Sequence, residues 1–188
     1  MSQAVLRALY QQPKSLVREA YAYSIESTAK DFIESTTLLF ISSINESGNP
    51  DISPRGGAAG FIKILDAKHI AFLDSPGNNK VLTFTNLADS PQVGLLFMVP
   101  GRGEILRGYG RAVVSQEETL FESLGERNSK RNKTAVQIEI TKLFPHCGNA
   151  LKSASLWKSE SWVSNTDDRV PTLMDMARGM AAFRNENT

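Results

Sequence analysis

Three short clusters in this 188-residue sequence carry residue types suited to holding an anion. In Asp51-Ile-Ser-Pro-Arg-Gly-Gly57, Ser53 offers a hydroxyl and Gly56 and Gly57 let a backbone pass close to a ligand, while Arg55 presents a planar fork of donors to phosphate oxygens. In Asp74-Ser-Pro-Gly-Asn-Asn-Lys80 a strand ends and a helix begins. Free amides near Asn78 and Asn79 and the positive helix end therefore face the same place as Lys80, a geometry suited to a phosphomonoester. In Pro100-Gly-Arg-Gly-Glu-Ile-Leu-Arg-Gly-Tyr-Gly-Arg-Ala112, residues Arg107, Tyr109 and Arg111 alternate along a strand and make one face basic. Each cluster also has a plainer reading: a glycine bulge with a solvated arginine, an Asn-capped helix start, and a charged edge strand. The first two clusters gain weight together, because they sit at opposite ends of one three-strand unit and can converge.

Other chemistries find little support. There is no Gly-x-Ser-x-Gly elbow, and neighbouring His146 and Cys147 cannot readily point at one another, so a hydrolytic triad is not expected. Cys147 reads as a small buried hydrophobe and His146 as a surface residue. Two histidines and one cysteine make a poor zinc inventory, and no metal site is assigned. Neither a Gly-x-Gly-x-x-Gly fingerprint nor a P-loop is present. Trp157 and Trp162 have the shape to stack on a flat ring, but tryptophans serve as core or interface anchors more often. No catalytic residue is named.

The elements that must position these clusters follow from periodicity. Residues 3–10 and 15–25 have helical spacing. Strands are expected at 37–44, 60–65, 69–74, 92–99, 105–114 and 134–141, with a helix from Lys80 to about Leu87. Residues 53–57 read as a loop. Ser115-Gln-Glu-Glu118 reads as a capping box opening a helix to Leu124. A helix from Pro171 carries Leu173, Met176, Ala177, Met180 and Phe183 on one stripe, to be buried on its own barrel or across a dimer. Short antiparallel strands with peripheral helices suggest a small barrel closed on itself, since closure removes sheet edges. The fold class is α+β, mainly β, in one domain over 1–188: N-terminal helices at 1–35, the barrel at 36–145 and a C-terminal helical segment at 146–188.

With 21 basic and 20 acidic side chains, no net field steers the protein to nucleic acid or an anionic membrane, and a small-molecule partner is expected. One cysteine and no membrane-length apolar run fit a cytoplasmic protein.

Taken together, the clusters resemble the pyridoxamine-phosphate-oxidase-like family of FMN-binding split barrels, in particular its branch of FMN-dependent enzymes with uncharacterised substrates. The resemblance lies in the order of motifs across residues 30–157: Ser53-Pro-Arg-Gly56, Gly60-Phe, Asp74 through Lys80, the Asn86 to Pro91 helix exit, Leu96-Phe, Pro100-Gly-Arg-Gly-Glu104, Leu106-Arg107 and Gly110-Arg-Ala112. It implies a six- to seven-stranded antiparallel split barrel. It also implies a homodimer with two FMN sites at the interface, each built from both chains. Ser53, Arg55 and Gly56 would lie along the flavin and its phosphate. Asn78, Asn79 and Lys80, with Asp74 heading their turn, would hold that phosphate. Arg107 would approach the isoalloxazine from the partner subunit, and Lys152 with Trp157 would lie near the cofactor. The long C-terminal Trp and Arg motif of the vitamin B6 oxidases is not recognisable here, so that activity is not expected. The resemblance implies an FMN-dependent oxidoreductase acting on an unidentified small molecule, with NAD(P)H a candidate reductant and no general acid or base required. The alternatives are a non-catalytic flavin carrier, or the same fold holding deazaflavin or haem.

Overall fold

The structure is a computed structural model that describes residues 1–75, 77, 79–125, 132–164, 167 and 169–186. Two short helices open the chain, α1 (Gln3–Leu9) and α2 (Ser15–Glu19). The second stops well before Ile25 because Ala22 pairs with Leu143, each amide donating to the other's carbonyl at 2.8 Å. A third helix, α3 (Ser27–Ser35), was not anticipated. Its sequence is mostly polar and it buries only Ala29 and Ile33. The Glu26 carboxylate starts it by accepting from the amides of Thr28 and Ala29 at 2.8 and 2.7 Å. The Thr28 hydroxyl, donating to the same carboxylate at 2.6 Å, and then these amides hold the carboxyl below its ordinary range.

The strands are β1 (Leu38–Ile44), β2 (Pro50–Gly56), β3 (Lys63–Ile64), β4 (His69–Leu73), β5 (Gln92–Met98), β6 (Glu104–Ser115) and β7 (Ala135–Cys147). They form one antiparallel sheet in the order β2-β1-β5-β6-β7-β4-β3. The mainly-β split-barrel architecture therefore holds, but the hydrogen-bonded ladder does not close, since β2 and β3 end it. The segment read as a loop at 53–57 is mostly strand: Arg55 pairs with Leu39 and Ser53 with Ile41. Strand β7 runs six residues past Thr141, across an irregularity where Tyr109 faces Lys142 but Gly110 faces Ile140. That slip interrupts the period-2 pattern on which the shorter strand rested. Gly110 sits at the slip because a Cβ there would meet the Glu139 carbonyl oxygen at 2.7 Å.

Helix α4 (Leu82–Asp89) packs across β1, β2 and β6. It buries Leu87 and is tied to β1 by the buried Asn86 side chain, whose Nδ2 donates to Ser43 Oγ at 2.9 Å. The core below contains Leu39, Ile41, Phe72, Phe97, Ile138 and Ile140, all essentially inaccessible. Each such side chain contributes roughly 1.5–3 kcal/mol of transfer free energy. Helix α5 (Glu118–Ser123) follows β6 without the expected capping box: Ser115 remains in the strand, and its hydroxyl accepts from the Glu117 amide, outside the helix.

The chain divides into two compact units, residues 1–150 and 151–188. Helix α6 (Asn149–Ser153) spans the division. The second unit contains a 3₁₀ turn at Ser159–Ser161 and α7 (Leu173–Glu186). A reciprocal box does form here: the Asp175 amide donates to Thr172 Oγ1 at 3.2 Å while the Asp175 carboxylate accepts from the Thr172 amide at 3.0 Å. These contacts, the Thr172 hydroxyl's first, hold the Asp175 carboxyl below its ordinary range. Helix α7 buries none of its residues.

Candidate functional site

Alternation along β2 turns Asp51, Ser53 and Arg55 to one half-buried side, with Pro50, Ile52, Pro54 and Gly56 on the exposed one. Beyond β4 the chain delivers Asp74 and then Lys80, which is bracketed by two left-handed residues, Asn79 at φ 58° and Val81 at φ 48°. Asparagine tolerates that region; a β-branched valine does not, and the position costs roughly 1–2 kcal/mol. Val81 is also the residue before α4 and makes no side-chain cap; its carbonyl accepts from the amides of Phe84 and Thr85 at 2.9 and 3.0 Å, so the amides left to an outside acceptor are those of Leu82 and Thr83.

These pieces enclose a cavity of about 690 Å³. Its lining includes Asp51, Ser53 and Arg55 from β2, Asp74 beyond β4, Asn79 and Lys80 from the turn, Thr83 and Phe84 from α4, and Lys133 and Thr134 before β7. The Arg55 guanidinium carbon lies 5.7 Å from the centroid of the Phe84 ring. Its Nε is buried and has no hydrogen-bond partner, which is uncommon for so strong a donor. Burial pushes the Asp74 carboxyl above its ordinary value, and the positive charge of Arg55 pulls it partly back. The arrangement can thus receive an anion: a guanidinium with one buried, unpartnered nitrogen, an ammonium and a helix start without a side-chain cap converge on one space.

Of the residues singled out from sequence, Ser53, Arg55, Asp74, Asn79 and Lys80 come together around this cavity. Gly56 ends β2 outside the lining, where a Cβ would only touch the Thr37 carbonyl at an ordinary 3.5 Å. Asn78 lies outside the described residues. Arg107 is not in the lining either; it stands on β6 with its guanidinium 5.1 Å from the Phe144 ring centroid. Beside it on β7, Lys142 Nζ lies 4.3 Å from the Tyr21 centroid, and Tyr109 contacts Phe144 at 5.5 Å. Lys152 sits in α6 and Trp157 follows it in the second unit. Trp162, exposed, donates its indole N–H to the Leu156 carbonyl at 2.9 Å. Cys147 is exposed rather than buried, because β7 carries it past the core to the strand end.

Sequence reasoning missed Asp51, Phe84, Lys133 and Thr134 as lining residues. Asp51 was recoverable from its parity with Ser53 and Arg55, and Phe84 from its place one helical turn beyond Lys80. Nothing local points to Lys133 or Thr134. Among the described residues, no group of three His, Cys, Asp or Glu side chains is placed to hold a metal ion, and no helix is long and apolar enough to cross a membrane.

Comparison with known proteins agrees with this architecture. No curated protein matches the chain in sequence. Among solved structures, the HupZ protein of Group A Streptococcus aligns with a TM-score of 0.51 at 20% identity, covering 64% of this chain and 93% of that one. A Lactobacillus delbrueckii protein, provisionally named a pyridoxamine 5'-phosphate oxidase, aligns with a TM-score of 0.52 at 17% identity, covering 65% of this chain and 95% of the other. At such identities these likenesses speak for the fold alone. Residues 25–147, from the strap before α3 to the end of β7, match the pyridoxamine 5'-phosphate oxidase family, and the chain belongs to that family.

Proposed function

We propose that the chain is an FMN-dependent oxidoreductase whose cofactor phosphate is held by Arg55, Lys80 and the start of α4. The observation that carries this reading is the buried, unpartnered Arg55 Nε inside a cavity of about 690 Å³, within the size range of cofactor sites. A phosphomonoester satisfies that donor and the helix amides together, through short charge-assisted bonds. Among the described residues that line the cavity there is no His, Cys, Met or Tyr, the side chains that ligate haem iron, so their contribution favours a flavin phosphate over haem.

When bound, FMN supplies hydride or electron transfer at its ring system. The residues here bind, orient and shield: Arg55 and Lys80 fix the phosphate, while Phe84 keeps water from the guanidinium it faces. The rest of the site is assigned to a second copy of the chain in a homodimer, with Arg107 approaching the flavin from the partner. The basic, aromatic face of Arg107, Tyr109, Lys142 and Phe144 supports that role. Lys152 and Trp157 are proposed cofactor neighbours by family resemblance. The substrate is a small molecule, NAD(P)H is the proposed reductant, and the proposed location is the cytoplasm.

The test is the visible spectrum of purified protein after incubation with excess FMN and desalting. A retained two-banded flavin spectrum, bleached by NAD(P)H under anaerobic conditions, is the expected result. A colourless protein sinks the cofactor assignment, and a retained flavin that no donor reduces points to a carrier.

A further inference from the structure

The third wall of the cavity comes from the chain just before β7. There the backbone is pinned at two points: the Asp74 amide donates to the Thr134 carbonyl at 2.9 Å, and the Gln116 side-chain amide donates to the Lys133 carbonyl at 3.1 Å. Both bonds use carbonyls and leave the two side chains to the cavity, which Lys133 and Thr134 both line. Pairing of β7 with β4, Ala135 opposite Leu73, fixes this segment beside the exit that leads to Lys80.

Thr134 Oγ1 is buried and has no hydrogen-bond partner. Among the described residues, the buried side-chain polar atoms left without a partner are this hydroxyl and Arg55 Nε, and both belong to residues lining the same cavity. A hydroxyl rotates freely and finds a nearby acceptor whenever one exists, so an orphaned one on a pinned backbone marks a place where the acceptor comes from outside. Beside it, exposed Lys133 adds a cation. Two orphaned donors beside an exposed lysine call for a ligand that presents several acceptor oxygens and negative charge at one end.

We propose that Thr134 and Lys133 form a second arm of the phosphate site, in which the Thr134 hydroxyl donates to a phosphate oxygen and Lys133 supplies charge, so that this arm selects a phosphorylated flavin over the unphosphorylated one. The inference rests on the reading of the cavity as a flavin phosphate site.

The experiment is a fluorescence titration of the full chain with FMN and with riboflavin, comparing wild type, T134V, T134S, K133Q and K80A. In T134V, which keeps side-chain shape and removes the hydroxyl, the preference for FMN over riboflavin is expected to fall about tenfold, equivalent to about 1.4 kcal/mol. T134S should restore most of that preference, and K133Q should lower it about threefold, as expected for an exposed charge. If T134V keeps the wild-type preference while K80A loses it, the second arm is overturned and the phosphate site stands. A wild-type protein that binds both flavins equally overturns both. Should T134V fail to fold, by its circular dichroism melt, K133Q decides: an unchanged preference overturns the proposal and a reduced one supports it.

Discussion

Two arginines in this molecule lie over phenylalanine rings at similar distances, Arg55 at 5.7 Å from Phe84 and Arg107 at 5.1 Å from Phe144, yet their surroundings differ in kind. Arg55 sits in a cavity with a desolvated nitrogen and a helix start without a side-chain cap nearby. Arg107 sits on the face of β6 among Tyr109, Lys142 and Phe144, outside the cavity lining. The first environment leaves a buried donor unmet inside a cavity; the second is a half-buried basic and aromatic face in which the cations lie against rings of their own chain. The ring contact is shared, so it does not distinguish the sites. The unmet hydrogen bond does.

That contrast can be broken experimentally. The largest effect is expected for R55M: loss of a charge-assisted phosphate contact worth about 1.5–3 kcal/mol should lower FMN affinity roughly 10- to 150-fold while riboflavin affinity changes little. R107M should instead weaken FMN and riboflavin alike and lower the fraction of dimer seen by sedimentation. Equal behaviour of the two variants would erase the distinction between phosphate and ring arginines. Next in size, N86A leaves Ser43 without its buried partner and should cost about 1–3 kcal/mol, read as a fall in Tm, because it loosens the helix that roofs the cavity. A melt unaffected by N86A would show that α4 is held by its apolar contacts alone.

The smallest effect sharpens the electrostatics. Because burial raises the Asp74 carboxyl in the folded state, the native protein keeps a proton that the unfolded chain releases. The contribution of Asp74 to stability should therefore fall as pH rises from the ordinary value near 3.8 through the raised one, read as the Tm of wild type minus that of D74N, which cancels the opposite contributions of Glu26 and Asp175. A difference that rises over this window would show that the attraction of Arg55 outweighs burial.

How far the site could be read in advance depended on distance along the chain. Arg55 and Lys80 were legible because glycines, prolines and asparagines mark the local backbone that presents them. Thr134 was not, since only the pairing of β4 with β7 brings it beside Asp74. The strand pattern was legible wherever alternation was clean, as at Ile138 and Ile140, and failed past Thr141 where β7 slips against β6. Helix α3 escaped notice because two buried residues in nine make a faint stripe. The missing box at Ser115 and the one formed at Thr172 show that cap residues name a helix start only when the chain leaves its strand in time.

The strand that carries Arg55 is also an end strand of the sheet. Gly57 donates to the Thr37 carbonyl, so odd-numbered amides of this segment point toward β1 and even-numbered ones point outward. Two of the outward positions are Pro50 and Pro54, which have no N–H to give. A foreign strand arriving here finds a template with gaps in it, so runaway edge-to-edge growth into fibrils is discouraged at the border of the cavity. Replacing both prolines with threonine would complete that row of donors and leave the rim of the cavity open to edge-to-edge pairing.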